Sequence, residues 1–358
     1  MNESAQSPMA SLDELDGAGW FPMDLDRRTG AIRFADLGEA WPRWQEVFAA
    51  ANDGEAVPQK LLPAEAAFRF VASDPAPARM NFIWHTSYCC STAIARALDV
   101  AGRNQSIFEP QILISLAHAR RQADRERRAD IAWLCDAVFR LMERGRAAGA
   151  ALTVKPASTS NYLAVDAAAK TKGRMVFLYS DCRSFLIAAM RYGENRRRFV
   201  RGLFRDLRQE SEAARRWTAD AVAELTDLEI AGLAWQLQIA RFRACLERFG
   251  ERAASLDCDA FLAAPKDTIA KLWRFLELPG EPEESAVFRD PGFLNRHVKF
   301  SGEPFTPQAR LAAGKDLDAE VSDEIDRIVE ASYSAFPENR GALPLSRPLA
   351  TVEKAYPR

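Results

Sequence analysis

Short apolar runs alternate with amphipathic stretches through the middle of the chain. The runs have the length and composition of strands buried on both faces, and they lie at residues 80–84, 105–108, 151–154, 175–179 and 253–256. The stretches between them carry apolar residues at helical spacing, and they lie at residues 91–98, 131–142, 158–169 and 185–192. This alternation predicts an α/β fold in which helices flank a parallel β-sheet. Ligands of such sheets bind beyond the carboxyl ends of the strands.

The remaining stretches predict how the chain is divided. Residues 193–250 predict two or three long helices, and residues 316–336 predict a closing helix. The run at 31–35 predicts an edge strand, residues 41–51 predict a helix, and the charged run at 120–128 predicts a solvated surface. We expect four segments, namely a disordered tail at 1–18, an N-terminal extension at 19–78, the α/β domain with additional helices at 79–340 and a C-terminal tail at 341–358.

A small polar turn separates the first predicted strand from the helix after it. The turn spans residues 85–90 and reads His-Thr-Ser-Tyr-Cys-Cys. Ser91 and Thr92, which follow it, are favoured N-cap residues. Free backbone N–H groups and the positive end of the helix dipole converge at such a turn, so it is a candidate anion site.

Composition and charge narrow the classes of function. The 358 residues are 48% hydrophobic, enough to bury one large core, and the formal net charge is −2. So balanced a charge gives no indication of nucleic-acid binding. The six cysteines show no paired CxxC spacing, which argues against a zinc site or a disulfide framework and favours reduced thiols. No carboxylate set has the spacing of a recognised metal motif.

The start of the chain bears on where the protein works. Residues 1–20 are polar and acidic, and they have neither a basic start nor an apolar core. No run of about 18 consecutive apolar residues occurs anywhere in the sequence. We therefore expect a cytoplasmic protein that does not span a membrane.

Two segments resemble the sulfotransferase families. The first is the strand, turn and helix at 80–98, followed about one strand later by Ser106-Ile107-Phe108-Glu109-Pro110. The second, Phe275-Leu276-Glu277-Leu278-Pro279, matches the family's Phe-Leu-Gly-Leu-Pro except at the Gly. The family's turn usually reads Pro, Arg or Lys, Ser, Gly, Thr or Ser, Thr. The corresponding residues here are Ser87, Tyr88, Cys89, Cys90, Ser91 and Thr92, which keep the hydroxyls but lack the basic residue and the Gly.

The resemblance implies a P-loop NTPase-like, sulfotransferase architecture and a cofactor. In these families the turn holds the 5′-phosphosulfate of PAPS (3′-phosphoadenosine 5′-phosphosulfate), so residues 87–92 are the candidate cradle. Several of the families place a catalytic carboxylate where Glu109 stands, which makes it the candidate base. Lys155 ends the third predicted strand, where it could stabilise leaving-group charge in place of the missing basic residue.

Each of these residues also has a purely structural interpretation. Ser91 could serve simply as the cap of its helix, and Glu109 could serve simply as the partner of an arginine in an ion pair. Lys155 could form a salt bridge at the rim of the site. Vicinal Cys89 and Cys90 are expected to be small packing residues.

The nucleotide's 3′-phosphate is the part of the cofactor for which the sequence offers least. The families use an Arg just after the fourth strand and a Ser eight residues later, and these positions hold Ser180 and Ala188. Arg183 and Ser184 are close enough in sequence to substitute, and Arg174 is a further candidate. His297 and Lys299 lie where families often place a nucleotide-binding loop. A lone histidine is more often structural, and this applies to His85 as well.

The leading hypothesis is an enzyme that transfers a sulfuryl group from PAPS to a hydroxyl of a small molecule, lipid or glycan. A nucleotide-dependent kinase is disfavoured because the sequence contains no Gly-x-x-x-x-Gly-Lys-Ser/Thr motif. A binding or scaffold protein that has lost catalysis is the third hypothesis, since fold alone does not separate it from an enzyme. The sequence holds no motif that identifies an acceptor.

Overall fold

The computed structural model of this chain describes residues 9–15, 19–26, 29–37, 57–73, 76–124, 127–144, 146, 149–190, 193–295 and 317–352. The predicted helix at 41–51 and the predicted cofactor contacts His297 and Lys299 lie outside these ranges.

The strands form a small antiparallel sheet and a larger parallel one. They are β1 (Trp20–Leu25), β2 (Ile32–Asp36), β3 (Gln59–Leu62), β4 (Asn81–His85), β5 (Asn104–Phe108), β6 (Ala151–Lys155), β7 (Met175–Tyr179) and β8 (Ala253–Asp257). The first three pair in the order β1-β2-β3. The other five are parallel and lie in the order β5-β6-β4-β7-β8.

Helices surround the parallel sheet. They are α1 (Ala64–Ser73), α2 (Ser91–Ala97), α3 (Gln111–Gln122), α4 (Arg128–Arg144), α5 (Ala164–Lys170), α6 (Cys182–Met190), α7 (Gly193–Glu210), α8 (Ala219–Ala223), α9 (Asp227–Phe249), α10 (Cys258–Ala263), α11 (Pro265–Phe275), α12 (Ala286–Arg289) and α13 (Ala319–Ala335). The prediction of an α/β fold with a parallel sheet flanked by helices is therefore confirmed.

The parallel sheet forms the core because its strands are apolar on both faces. Every residue of β4, β7 and β8 is buried. The largest fully buried side chains include Trp84 on β4, Phe177 on β7 and Trp235 on α9. Helix α9 packs against α6, α7 and α13 and also contacts β8, so it joins these helices to the sheet. A capping box between Thr226 and Glu229 starts α9.

Strand order brings the ends of three strands together. β6 lies between β5 and β4, so the carboxyl ends of these strands, at Phe108, Lys155 and His85, are neighbours at one edge of the sheet. The connections that leave these ends carry the turn at 86–90, Glu109 and the short 3₁₀ helix Ser158–Leu163. The candidate site lies at this edge, which is where ligands of parallel sheets bind.

Three predictions from the sequence are wrong in detail. The run at 31–35 belongs to β2, which is the middle strand of its sheet and not an edge strand, because β1 and β3 both pair with it. The charged run at 120–128 is not simply solvated. Arg120 pairs with Asp166 and Glu210, and the Arg121 side chain is 5% exposed. The N-cap of α2 is Cys90 and not Ser91, because the chain enters the helix through a left-handed residue.

Both ends of the described chain pack on the sheets. Residues 9–15, part of the segment predicted as a disordered tail, lie against β3, where the N–H of Ala10 donates to the Leu61 carbonyl (2.8 Å). In the segment predicted as a C-terminal tail, the Ser255 N–H donates to the Arg347 carbonyl, and the Leu349 N–H donates to the Ser255 carbonyl, both at 2.9 Å. This pairing covers the free edge of β8. In the part of the chain described here, no helix is both long and apolar enough to cross a membrane.

Candidate functional site

The turn between β4 and α2 has an unusual backbone. Ser87, Tyr88 and Cys90 have φ of 73°, 53° and 58°, so three neighbouring non-glycine residues are left-handed. Each such residue costs about 1–2 kcal/mol, and such conformations persist where the surrounding structure enforces them, often at functional sites. Turns of this kind make concave sites for anions from successive backbone N–H groups. The segment predicted as the cradle therefore forms a left-handed turn, and it does so without the glycine that the resemblance leads one to expect.

Glu109 and Lys155, the two predicted catalytic residues, form one ion pair. Glu109 Oε1 lies 2.5 Å from Lys155 Nζ. Glu109 follows β5 with a left-handed φ of 51°, and its N–H donates to the Lys155 carbonyl at 2.6 Å. The Lys155 side chain is fully buried, whereas 32% of the Glu109 side chain is exposed. Lys155 is thus a buried cation and not a rim residue. Glu109 is paired with this lysine, whereas its purely structural interpretation was a pair with an arginine.

His85 connects the ion pair to the turn. Its Nε2 lies 3.3 Å from Lys155 Nζ and 2.9 Å from the Pro156 carbonyl oxygen. The Ser87 N–H donates to His85 Nδ1 at 3.1 Å. An Nδ1 that accepts a hydrogen bond carries no proton, so we assign the neutral imidazole with its proton on Nε2, donated to the Pro156 carbonyl. In this tautomer Nε2 accepts nothing from Lys155, so the 3.3 Å between the two nitrogens is a contact and not a hydrogen bond.

Two further polar side chains complete the cluster. The hydroxyls of Ser87 and Ser158 are 2.7 Å apart, which ties the turn to the segment after β6. Asn161 donates through Nδ2 to the His85 carbonyl (3.0 Å) and to Gln238 Oε1 (3.1 Å). Contacts therefore run without a break from Glu109 through Lys155, His85 and Ser87 to Ser158.

Tyr88 points out of the turn into an aromatic cluster. Its ring centroid lies 5.3 Å from that of Phe185 on α6 and 6.1 Å from that of Phe199 on α7. The Arg196 guanidinium carbon lies 4.8 Å from the same ring centroid. Burial raises the pKa of Tyr88 to about 12, against an opposing effect of the Arg196 charge, so the phenol is neutral at physiological pH. Residues 87–92 include no basic side chain, and Arg196 brings a positive charge to them.

The vicinal cysteines face different neighbours. Cys89 is fully buried, and its thiol contacts the Leu178 carbonyl oxygen at 3.7 Å. Cys90 is partly exposed, and its sulfur lies 3.9 Å from that of Cys258 at the start of α10. Cys89 is a packing residue, as expected for a small apolar side chain.

The residues predicted near the 3′-phosphate are engaged within the protein. Arg183 donates to Asp326 (2.9 Å) and Ser322 (2.7 Å) on α13. Ser184 binds the Asp181 carboxylate through its N–H and its hydroxyl, both at 2.8 Å. The Ser180 hydroxyl is buried and has no hydrogen-bond partner among the described residues.

Arg174 is excluded as a 3′-phosphate contact by its place in the fold. It precedes β7 and so lies at the amino end of the strand, opposite the candidate site. There it pairs with Glu277 and stacks over the Phe275 ring.

Three residues of the cluster were not singled out as site residues from the sequence. They are Ser158, Asn161 and Arg196. Ser158 could have been identified from the sequence, because it follows Lys155 and Pro156 at the carboxyl end of a predicted strand, where ligands of parallel sheets bind. Arg196 had none, since its contact with Tyr88 depends on how α7 packs.

Comparisons with known proteins gave structural likenesses only. No family model and no curated protein matches the chain in sequence. The chain is similar to a sulfotransferase domain from the curacin biosynthetic pathway, with 13% identity over 71% of this chain and 97% of that one and a TM-score of 0.44. It is similar to sulfotransferase STF9 from Mycobacterium avium, with 13% identity over 78% and 82% of the chains and a TM-score of 0.45.

A third structure is a sulfotransferase from Alicyclobacillus acidocaldarius, with 13% identity over 74% of this chain and 96% of that one and a TM-score of 0.39.

Proposed function

We propose that this chain transfers a sulfuryl group from PAPS to a hydroxyl group of a small molecule, lipid or glycan. The observation that carries the proposal is the buried Lys155 ammonium, paired with the partly exposed Glu109 carboxylate and joined to the left-handed turn through His85. In-line sulfuryl transfer needs a base for the acceptor, a cation for developing charge and an anion cradle. This edge of the sheet offers one candidate for each.

Glu109 is the proposed base. Its side chain is partly exposed, so an acceptor hydroxyl can approach the carboxylate from solvent. The left-handed backbone at Glu109 and the hydrogen bond from its N–H to the Lys155 carbonyl hold the residue over the end of β6. A base fixed in this way accepts the proton of the acceptor oxygen without first reorganising.

Lys155 and the turn are the proposed anion-binding groups. An ammonium removed from water interacts more strongly with developing negative charge than an exposed one does. PAPS, when bound, supplies the activated sulfuryl group and the phosphate that leaves with the nucleotide. The backbone of residues 87–92 would hold its phosphosulfate, and the left-handed turn fits that group. The Lys155 side chain is fully buried, so its ammonium would act on that charge through the electrostatic field at the end of β6.

The 3′-phosphate side fits less completely, and this favours a second candidate function. Arg183 is held by Asp326 and Ser322, so it would have to leave both to bind a phosphate. The Ser180 hydroxyl, which has no hydrogen-bond partner in the described part of the chain, stands where the resemblance places the 3′-phosphate arginine. A protein that binds an anionic ligand at the turn but has lost transfer is therefore the second candidate.

Calorimetric titration with PAP, the desulfated nucleotide, tests the proposal, with ATP and 5′-AMP as comparison ligands. We expect micromolar PAP binding that weakens at least about tenfold in Lys155→Met, because the buried cation is lost. Lys170→Met is the matched control, since Lys170 pairs with Asp136 at 3.7 Å on α4 and keeps 35% of its side chain exposed. A wild-type protein that does not bind PAP overturns the cofactor assignment.

Turnover separates the two candidates. PAP release from PAPS is followed with a panel of phenol, steroid alcohol and sugar acceptors. We expect Glu109→Gln to bind PAP at least as tightly as the wild type, because the negative charge beside Lys155 is removed while the ammonium stays. The same variant should lose transfer by about 10²–10⁴-fold, the usual contribution of a general base. Tight PAP binding without transfer to any acceptor supports the binding protein instead.

A further inference from the structure

Two cysteine thiols meet beyond the carboxyl end of β7. Cys90, the N-cap of α2, and Cys258, the first residue of α10, have their sulfur atoms 3.9 Å apart. β7 lies between β4 and β8 in the sheet, so this contact bridges over one strand end. Neither thiol has a role in the proposed transfer.

The two thiols differ in exposure. Cys90 is partly exposed, whereas Cys258 is fully buried. Neighbouring Cys89 is buried too, but its sulfur contacts the Leu178 carbonyl on β7. A dissolved oxidant therefore reaches Cys90 first, and the sulfur in contact with Cys90 is that of Cys258.

We propose that Cys90 and Cys258 form a disulfide when the protein meets a hydroperoxide. The Cys90 sulfur attacks one peroxide oxygen, the O–O bond breaks, and a sulfenic acid and one water result when the oxidant is hydrogen peroxide. The Cys258 sulfur then attacks the sulfenic sulfur, the S–S bond forms, the S–O bond breaks, and a second water leaves with the Cys258 proton. The two thiols together lose two electrons, which the peroxide gains.

The surroundings of Cys258 favour the second step. Oδ1 of Asp259 lies 3.9 Å from the Cys258 sulfur, where a carboxylate can accept the thiol proton during the attack. A disulfide has an S–S bond of about 2.0 Å, so the sulfurs must approach by roughly 2 Å. Cys90 already has a left-handed backbone at the end of the turn, and the approach pulls this residue towards α10.

Closing the disulfide changes the turn. Cys90 is the residue through which the chain enters α2, so its displacement alters the backbone N–H groups that follow. We expect weaker nucleotide binding in the oxidised protein. This consequence rests on the proposed function, whereas the disulfide itself does not.

Peptide mapping of the full-length protein tests the disulfide. Reduced protein is treated with about a tenfold molar excess of hydrogen peroxide, alkylated, and digested without reduction. The expected product is lighter by about 2 Da before alkylation, two of its six thiols escape alkylation, and one peptide pair joins Cys90 to Cys258. Dithiothreitol restores both thiols. Cys89→Ser keeps the crosslink, and Cys90→Ser and Cys258→Ser each lose it.

Three results overturn the proposal, namely a disulfide between Cys90 and Cys89 or another cysteine, an oxygenated Cys90 with Cys258 still alkylated, and six alkylated thiols. The peptide map of the wild-type protein decides among these results even where a variant fails to fold.

PAP titration of the oxidised protein separately tests the expected weakening of nucleotide binding. Equal binding before and after oxidation removes the effect on the turn. A reduced protein that does not bind PAP removes the proposed function and leaves the peptide map as the test of the disulfide.

Discussion

The Lys155 side chain is fully buried, whereas Glu109, whose carboxylate oxygen lies 2.5 Å from the Lys155 ammonium, keeps 32% of its side chain exposed. The buried ammonium therefore needs its partner's charge more than the partly exposed carboxylate does. Water can solvate the carboxylate if the lysine is removed. The ammonium has no comparable access to water if the glutamate is removed, so it depends on the carboxylate more than the carboxylate depends on it.

Removing Glu109 should therefore cost more stability than removing Lys155. We expect Glu109→Ala to lower the free energy of unfolding by about 3 kcal/mol, because a buried charge is left without its counter-charge. Lys155→Met keeps the volume of the chain and should cost about 1 kcal/mol. Urea unfolding at pH 7, followed by circular dichroism, measures both.

Lys170→Met is the control for this comparison. Its ion pair with Asp136 is longer, at 3.7 Å, and its side chain is 35% exposed, so we expect a change within about 0.5 kcal/mol. Equal losses in Glu109→Ala and Lys155→Met would contradict the unequal dependence of the two charges.

The left-handed turn predicts that Cys90 tolerates glycine. Cys90 has φ of 58°, and a glycine there is released from the steric cost of a side chain in this region. We expect Cys90→Gly to unfold within about 0.5 kcal/mol of the wild type or to be more stable, because relief of strain offsets the lost sulfur contact.

The adjacent residue is the control for that substitution. Cys89 is fully buried and is not among the left-handed residues, so Cys89→Gly loses packing and gains no relief. We expect it to cost at least about 1.5 kcal/mol in the same urea experiment. A Cys90→Gly protein destabilised as much as Cys89→Gly would mean that the turn stores no strain at Cys90.

Tyr88 should reduce stability at alkaline pH. Burial raises its pKa in the folded protein to about 12 from an ordinary value of 10.0. The unfolded chain therefore loses this proton as the pH rises past 10 while the folded chain keeps it, and linkage lowers stability progressively up to pH 12. Tyr88→Phe has no such proton, so its stability relative to the wild type should rise between pH 10 and 12 in thermal or urea unfolding.

At neutral pH the same substitution should be harmless. The Tyr88 hydroxyl is buried without a hydrogen-bond partner in the described ranges, so its removal is expected to gain up to about 1 kcal/mol. Tyr179→Phe is the control, because the Tyr179 hydroxyl accepts the Leu345 N–H at 3.2 Å and its loss should cost about 1 kcal/mol. A pH profile of Tyr88→Phe parallel to that of the wild type would be inconsistent with the raised pKa.

The sequence predicts the parallel strands well because they are buried on both faces. A strand of this kind appears as a continuous apolar run, and the run at 175–179 coincides with β7 residue for residue. The helices begin and end less predictably, since capping depends on backbone conformation. Ser91 is a favoured cap by residue type, yet Cys90 takes the position because the turn before it is left-handed.

The arrangement of the site is harder to predict because it depends on strand order. Glu109 and Lys155 are 46 residues apart in the chain, and they meet because β5 and β6 are adjacent in the sheet. No local pattern specifies that adjacency. The same holds for the approach of Arg196 to Tyr88, which follows from the packing of α7 against α6.

Arg196 should provide the positive charge that the turn's own sequence lacks. Its guanidinium is fixed on the Tyr88 ring at 4.8 Å and donates to the Ala188 carbonyl at 2.5 Å. An anion at the turn gains from a charge held so close, and we expect Arg196→Gln to weaken PAP binding about tenfold. Arg196→Lys keeps the charge but not the planar stack, so it should lose less. Calorimetric titration at low and high salt measures both.

Arg197 provides the matched control because it stands next to Arg196 on α7, is exposed, and lies 4.0 Å from Asp227. Arg197→Gln removes the same charge from the helix but changes no contact with the turn. Because salt screens so exposed a charge, we expect this variant to bind PAP nearly as tightly as the wild type. If both substitutions weaken PAP binding equally, only the net charge of α7 matters. If neither does, the turn binds its anion through backbone N–H groups and Lys155 alone, and the Tyr88 stack serves only to hold α7 in place.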